Sequence, residues 1–137
     1  MEKHFEWSDA IFEQQFSDCT LDPALFGHEA HLRLAWIHIN KYGIDRAIKN
    51  ICLQIQNFAA RAGAPDKYNE TVTIAAIRAV YHFMLRSDTD NFQDFILENS
   101  RLKTSFKQLL NSHYRTDIFN SERAKRAYIE PELLPFD

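Results

Sequence analysis

The chain has 137 residues, 45% of them hydrophobic and 26% charged, with a formal net charge of −3. That composition fits one compact domain, residues 1–137, and a chain this long buries roughly two-thirds of its unfolded surface, enough for a core without metal or disulfide staples. With 16 basic against 19 acidic residues and no Lys/Arg block, nucleic acid is a poor partner, and Thr73 to Leu85, the longest apolar stretch, is interrupted by Arg78 and His82 and too short to span a bilayer.

Three glycines and four prolines fall at boundaries: Pro23 and Gly27, Gly43, Gly63 and Pro65, then Pro131 and Pro135. Between them the apolar spacing is three and four and valine is scarce, so the expected fold class is all-α: a helical bundle of four main helices, shorter C-terminal helices and an extended tail. The first helix starts at Ser8, a good N-cap, and offers Ile11, Phe12 and Phe16 as its buried stripe. A second runs from about His28 to Tyr42 and ends at Gly43. The third, about Ile44 to Ala62, carries Ile44, Ala47, Ile48, Ile51, Ile55 and Phe58 on one face against Asp45, Lys49, Gln56 and Arg61, with Cys52 as a small hydrophobe beside that stripe. The fourth, about Tyr68 to Arg86, is apolar around most of its circumference and is expected to be the most buried, with Thr71, Arg78, His82 and Arg86 as a narrow polar strip on which His82 is expected in solvent. Short helices follow near Asn91 to Glu98, Arg101 to His113 and Ser121 to Ile129. In the tail, Leu133, Leu134 and Phe136 are expected to pack back on the bundle or onto a second subunit.

Polar residues in apolar places mark the candidate site. At about 100° per residue, His28 falls in the middle of the apolar arc of the second helix, among Leu32, Ala35 and Ile39, with His31 and His38 on one flank. Glu29 turns to the polar side, with Arg33 one turn on as its partner. His28 and His31 are three apart rather than the four of a zincin helix, yet histidines at that spacing can share a metal. On the fourth helix Glu70 falls in the apolar sector, where a carboxylate must be paired, metal-bound or protonated, and Asn69 and Thr73 sit to one side. Short connections make successive helices alternate in direction, so the first turns of the second and fourth helices are expected at one end of the bundle, in one pocket. The competing structural reading gives His28 a neighbouring backbone carbonyl and Glu70 the first-turn N–H groups. His38 reads as a half-buried packing residue, Trp36 as a packing anchor, and His4 and His113 fall outside any pattern.

The segments Phe26-Gly27-His28-Glu29-Ala30-His31-Leu32-Arg33-Leu34-Ala35-Trp36 and Tyr68-Asn69-Glu70-Thr71-Val72-Thr73 resemble Phe-x-His-x-x-His-Leu-Arg-x-Ala-Trp and Tyr-His-Glu-Thr-x-Thr motifs. These are motifs of a family of small uncharacterised bacterial all-helical proteins, whose ending is similar to Ser121 through Pro135 here. The resemblance implies that the two motifs belong together. It brings no activity, and the chain departs from it at Asn69, where histidine is expected.

Two classes of function follow. In the first, a His/Glu pocket binds a small molecule and a candidate divalent metal ion: His28, His31 and Glu70 are the metal ligands, or His28 and Glu70 an acid/base pair, with His31, Tyr68, Asn69 and Thr73 touching the ligand. In the second, the chain is a non-catalytic interaction or regulatory module that uses its apolar tail, as a homodimer or with another protein. Met1-Glu2-Lys3-His4 lacks the basic-then-apolar order of a signal peptide, and Cys19 and Cys52 read as free thiols, so a cytoplasmic location is expected.

Overall fold

The computed structural model describes residues 1–136. The described residues hold eight α-helices and no strand: α1 (Asp9–Ser17), α2 (His28–Tyr42), α3 (Ile44–Arg61), α4 (Glu70–Met84), α5 (Phe92–Glu98), α6 (Arg101–Thr104), α7 (Phe106–Asn111) and α8 (Glu122–Arg126). None of the helices among the described residues is long and apolar enough to cross a membrane. The chain sorts into two compact units, Met1–Tyr68 and Asn69–Asp137.

In the first unit α2 packs along α3, and α1 lies against both. Ser8 caps α1 by accepting the Ile11 N–H through Oγ at 3.3 Å, a role its short hydroxyl side chain suits. Phe12 and Phe16 are fully buried, but Ile11 is 46% exposed and so leaves the stripe expected for it. Ile11 lies about 100° around the helix from Phe12, on the side of α1 away from the buried Phe12 and Phe16. Phe16, Phe26 and Phe58 form an aromatic cluster with ring centroids 4.5 to 5.3 Å apart. The many phenylalanines therefore serve packing here. Gly43 joins α2 to α3 at φ 82°, ψ 166°, a conformation that is open to glycine and strained for any side chain.

The most buried helix is α2, not α4. Ten of its fifteen residues are buried, including Glu29, Arg33 and His38, against six in α4. The sequence expectation weighed apolar content, whereas α2 buries its polar positions as well. Cys52 and Trp36 are buried, as expected of a small hydrophobe and a packing anchor.

In the second unit α4 packs against α8 and α7. Thr71, on the polar strip of the helix, has no exposed surface. Its hydroxyl donates to the Ala127 carbonyl at 2.8 Å and accepts the Ile129 N–H at 3.0 Å. Tyr114 donates to the Ile129 carbonyl at 2.8 Å. The stretch after α8 is thus tied to α4 by polar bonds that no hydrophobic pattern announces. His82, expected in solvent, is half-buried and donates through Nδ1 to the Phe136 carbonyl at 2.7 Å. His113 likewise donates to the Leu134 carbonyl at 2.7 Å and stacks on the Phe136 ring at 4.2 Å. Phe136 is buried against this clasp, while Leu133 and Leu134 stay 50% and 53% exposed.

Candidate functional site

The start of α2 carries the two histidines of the candidate site, both exposed rather than set in the buried arc of the helix. His28 is the first helical residue after the Gly27 cap, and one turn from the end of a helix the wheel no longer implies cover. The Nδ1 of His31 lies 2.9 Å from the Gly27 carbonyl oxygen. A carbonyl only accepts, so Nδ1 carries the proton and Nε2 the lone pair. The ring is stacked on Phe26 with centroids 3.8 Å apart, which fixes its plane. Crowding by protein pushes its pKa down to about 4, against the pull of the Gly27 carbonyl and with help from His28. Its exposed face softens that effect without reversing it, so the imidazole is neutral at neutral pH. No hydrogen-bond partner holds Nε2 among the described residues.

Glu29 does not turn to solvent and Arg33 is not its surface partner. Glu29 is 5% exposed and Arg33 4%, because the N-terminal segment lies over this side of α2. His4, in the 3-10 turn Lys3–Glu6, brings Nε2 to 2.7 Å from Glu29 Oε1. Arg33 spends all five N–H groups. Nη1 donates to the His4 carbonyl at 2.8 Å and to His4 Nδ1 at 3.3 Å; Nη2 donates to the Trp7 carbonyl at 2.9 Å and Asp9 Oδ1 at 2.8 Å; Nε donates to Asp9 Oδ1 at 3.2 Å. Its guanidinium also lies 4.8 Å from the Phe12 ring.

Glu2, His4 and Glu29 place one donor atom each within 4.8 Å of one another, a set of ligand types that suits a metal. The tautomer argues for a structural role instead. Arg33 can only donate, so His4 Nδ1 accepts, and Nε2 holds the proton that Glu29 receives. An ion on Nε2 would drive that proton to Nδ1, directly against an Arg33 N–H. Burial lowers the His4 pKa despite the opposing pull of Glu29, in keeping with a neutral ring. His4 and His31 thus hold opposite tautomers, and in His31 the Nδ1–H is donated to a backbone carbonyl while Nε2 keeps its lone pair, an arrangement in which a histidine can ligate a metal.

Of the remaining candidates, Tyr68 closes the 3-10 turn Pro65–Lys67 and is half-buried. Asn69, Glu70 and Thr73 open the second unit. Asn69 caps α4 by accepting the Val72 N–H at 3.0 Å, donates to the Ile118 carbonyl at 2.9 Å, and its own carbonyl accepts the Thr73 hydroxyl at 2.7 Å. Both side chains are therefore engaged in building the start of α4. Glu70 is half-buried at the first helical position. These three residues belong to a different unit from the histidine pair, and the structure of the first unit neither supplies nor removes them as its partners.

His38 is 1% exposed, more deeply buried than expected, and neither ring nitrogen has a hydrogen-bond partner. Burial pushes its pKa down, with Glu13 opposing and Lys41 assisting. His4 was missed because it belongs to a four-residue 3-10 turn that has no amphipathic period. A signal was present nonetheless: Glu29 and Arg33 are interleaved with the apolar Ala30, Leu32, Leu34 and Ala35, so cover over those residues also covers the two charges, which then need partners from elsewhere in the chain. In comparisons with protein families, curated proteins and solved structures, nothing matches this chain.

Proposed function

We propose that the protein binds a small ligand, with a divalent transition-metal ion as the first candidate, through the imidazoles of His28 and His31 at the start of α2. The observation that carries this reading is the His31 Nδ1 bond to the Gly27 carbonyl at 2.9 Å. A ligating histidine is commonly oriented by such a bond from its second nitrogen, which leaves Nε2 for the ion. The lowered pKa of about 4 supports it too, because a metal takes only the neutral ring and here competes with few protons. Two imidazoles leave coordination positions open for water or an organic ligand.

Zinc titration of tag-free protein tests this. One equivalent should bind; His31→Ala and His28→Ala should each weaken binding by about tenfold or more, since each removes one of two ligands. Glu98→Gln, on the exposed side of α5, should change nothing. No uptake of zinc, cobalt or manganese, or uptake that survives both histidine substitutions, overturns the proposal. The interaction-module reading then stands on its own observation, the exposed Leu133 and Leu134 beside the anchored Phe136.

A further inference from the structure

The second unit carries a groove of about 470 Å³ whose lining includes Lys107, Asn111, Tyr114, Arg115, Asp117 and Phe119. Its volume is that of a small-molecule site rather than of a macromolecular interface. What distinguishes it is which polar groups are already committed. Asp117, the one acid of the lining, accepts the Phe119 N–H at 3.2 Å and the Asn120 amide at 2.8 Å, holding the turn that presents Phe119. Thr116 donates its hydroxyl to Glu132 at 2.8 Å. Glu132 also accepts the Arg115 and Thr116 N–H groups, bonds that, led by Thr116, hold its pKa below the usual carboxylate range. Tyr114 is committed to Ile129.

The groups left over are nearly all donors. Neither Lys107 nor Arg115 is in a side-chain ion pair among the described residues, although the Arg115 charge acts on the nearby Glu132, and the Asn111 amide has no hydrogen-bond partner there. Lys107 lies 5.4 Å from the centre of the Phe119 ring, and that ring is braced edge-on by Phe106 at 6.3 Å. One wall is therefore aromatic and held in place, and beside it stand an ammonium, a guanidinium and an amide. A guanidinium meets a carboxylate or phosphate two bonds at a time, while a ring laid on Phe119 gains stacking and sheds water.

We infer that this groove binds a small organic anion consisting of a planar ring and one carboxylate or phosphate group, with the anion on Arg115 and Lys107 and the ring against Phe119. The site lies wholly within the second unit and is independent of the histidine pair of α2.

The test is titration of the full chain, followed by amide chemical shifts, with three probes: adenosine 5′-monophosphate, benzoate and inorganic phosphate. At least one ring-bearing probe should bind saturably and shift residues 107–120, the other two identifying which anion is preferred. Arg115→Gln and Lys107→Gln, both on exposed side chains, should each weaken that probe about tenfold. Phe119→Leu should weaken the ring-bearing probe and leave inorganic phosphate unchanged. Absence of saturable binding by either ring-bearing probe overturns the inference, as does binding that both charge substitutions leave unaltered.

Discussion

Arg33 organises the N-terminal end of the first unit through five hydrogen bonds, three of them to groups that precede α1. Arg33→Ala would leave the Trp7 carbonyl without its donor, leave the His4 carbonyl with the Trp7 N–H alone and strip Asp9 of its ion pair, so a loss of about 3 kcal/mol is expected in urea unfolding. A change below about 1 kcal/mol would mean that the network is incidental. His38 invites the opposite experiment. Its two ring nitrogens are buried without partners, and His38→Leu removes both while keeping most of the volume, so stability at pH 7 should rise by about 1 kcal/mol. The sign with pH follows from the lowered pKa. An unfolded histidine takes up a proton near 6.5, whereas the folded one resists it, so the unfolded state binds more protons and stability is lost as pH falls below that value. His38→Leu should flatten that loss, and an unchanged pH profile would show that the acid sensitivity originates elsewhere.

Among elements, α2 and α3 were legible nearly to the residue, because Gly43 separates them and α3 alternates cleanly between apolar and charged faces. Gly43→Ala meets no atom within 4 Å of the new Cβ, so its expected penalty of about 2 kcal/mol comes from backbone conformation alone. Equal stability of the variant in denaturant titration would contradict the strained geometry. What failed at this scale was orientation. Periodicity placed Glu29 on a polar face and His28 in an apolar arc, but a helical wheel sees neither a covering segment nor the end of a helix. Glu29 was covered by a 3-10 turn 25 residues earlier, and His28 came to the surface as the first residue of its helix. The split of Arg101 to His113 into α6 and α7 at Ser105 carried no glycine or proline to announce it. The hydroxyl of Thr71 and the rings of His82 and His113 bind backbone carbonyls of the closing segment, and such bonds leave no trace in hydropathy.

At the scale of the whole molecule, the all-α class follows from composition, whereas the division of labour among histidines does not. His4, His31 and His38 all have lowered pKa values, led in each case by burial, so the protein as a whole should lose stability as pH falls from about 6.5 toward 4. Protonation of His31 near 4 would also release any metal held on Nε2. Two neutral rings therefore differ in role: His4 is protonated on Nε2 and locked in a buried network, and His31 is protonated on Nδ1 with its other nitrogen available. Long-range ¹H–¹⁵N correlation spectra of the histidine rings, recorded at pH 7 before and after addition of zinc, read that difference directly. The result expected is a His31 ring with its proton on Nδ1, and a zinc-dependent shift at the Nε2 atoms of His28 and His31 with His4 unmoved. A His31 ring protonated on Nε2, or a zinc response at His4 in place of His31, would contradict it.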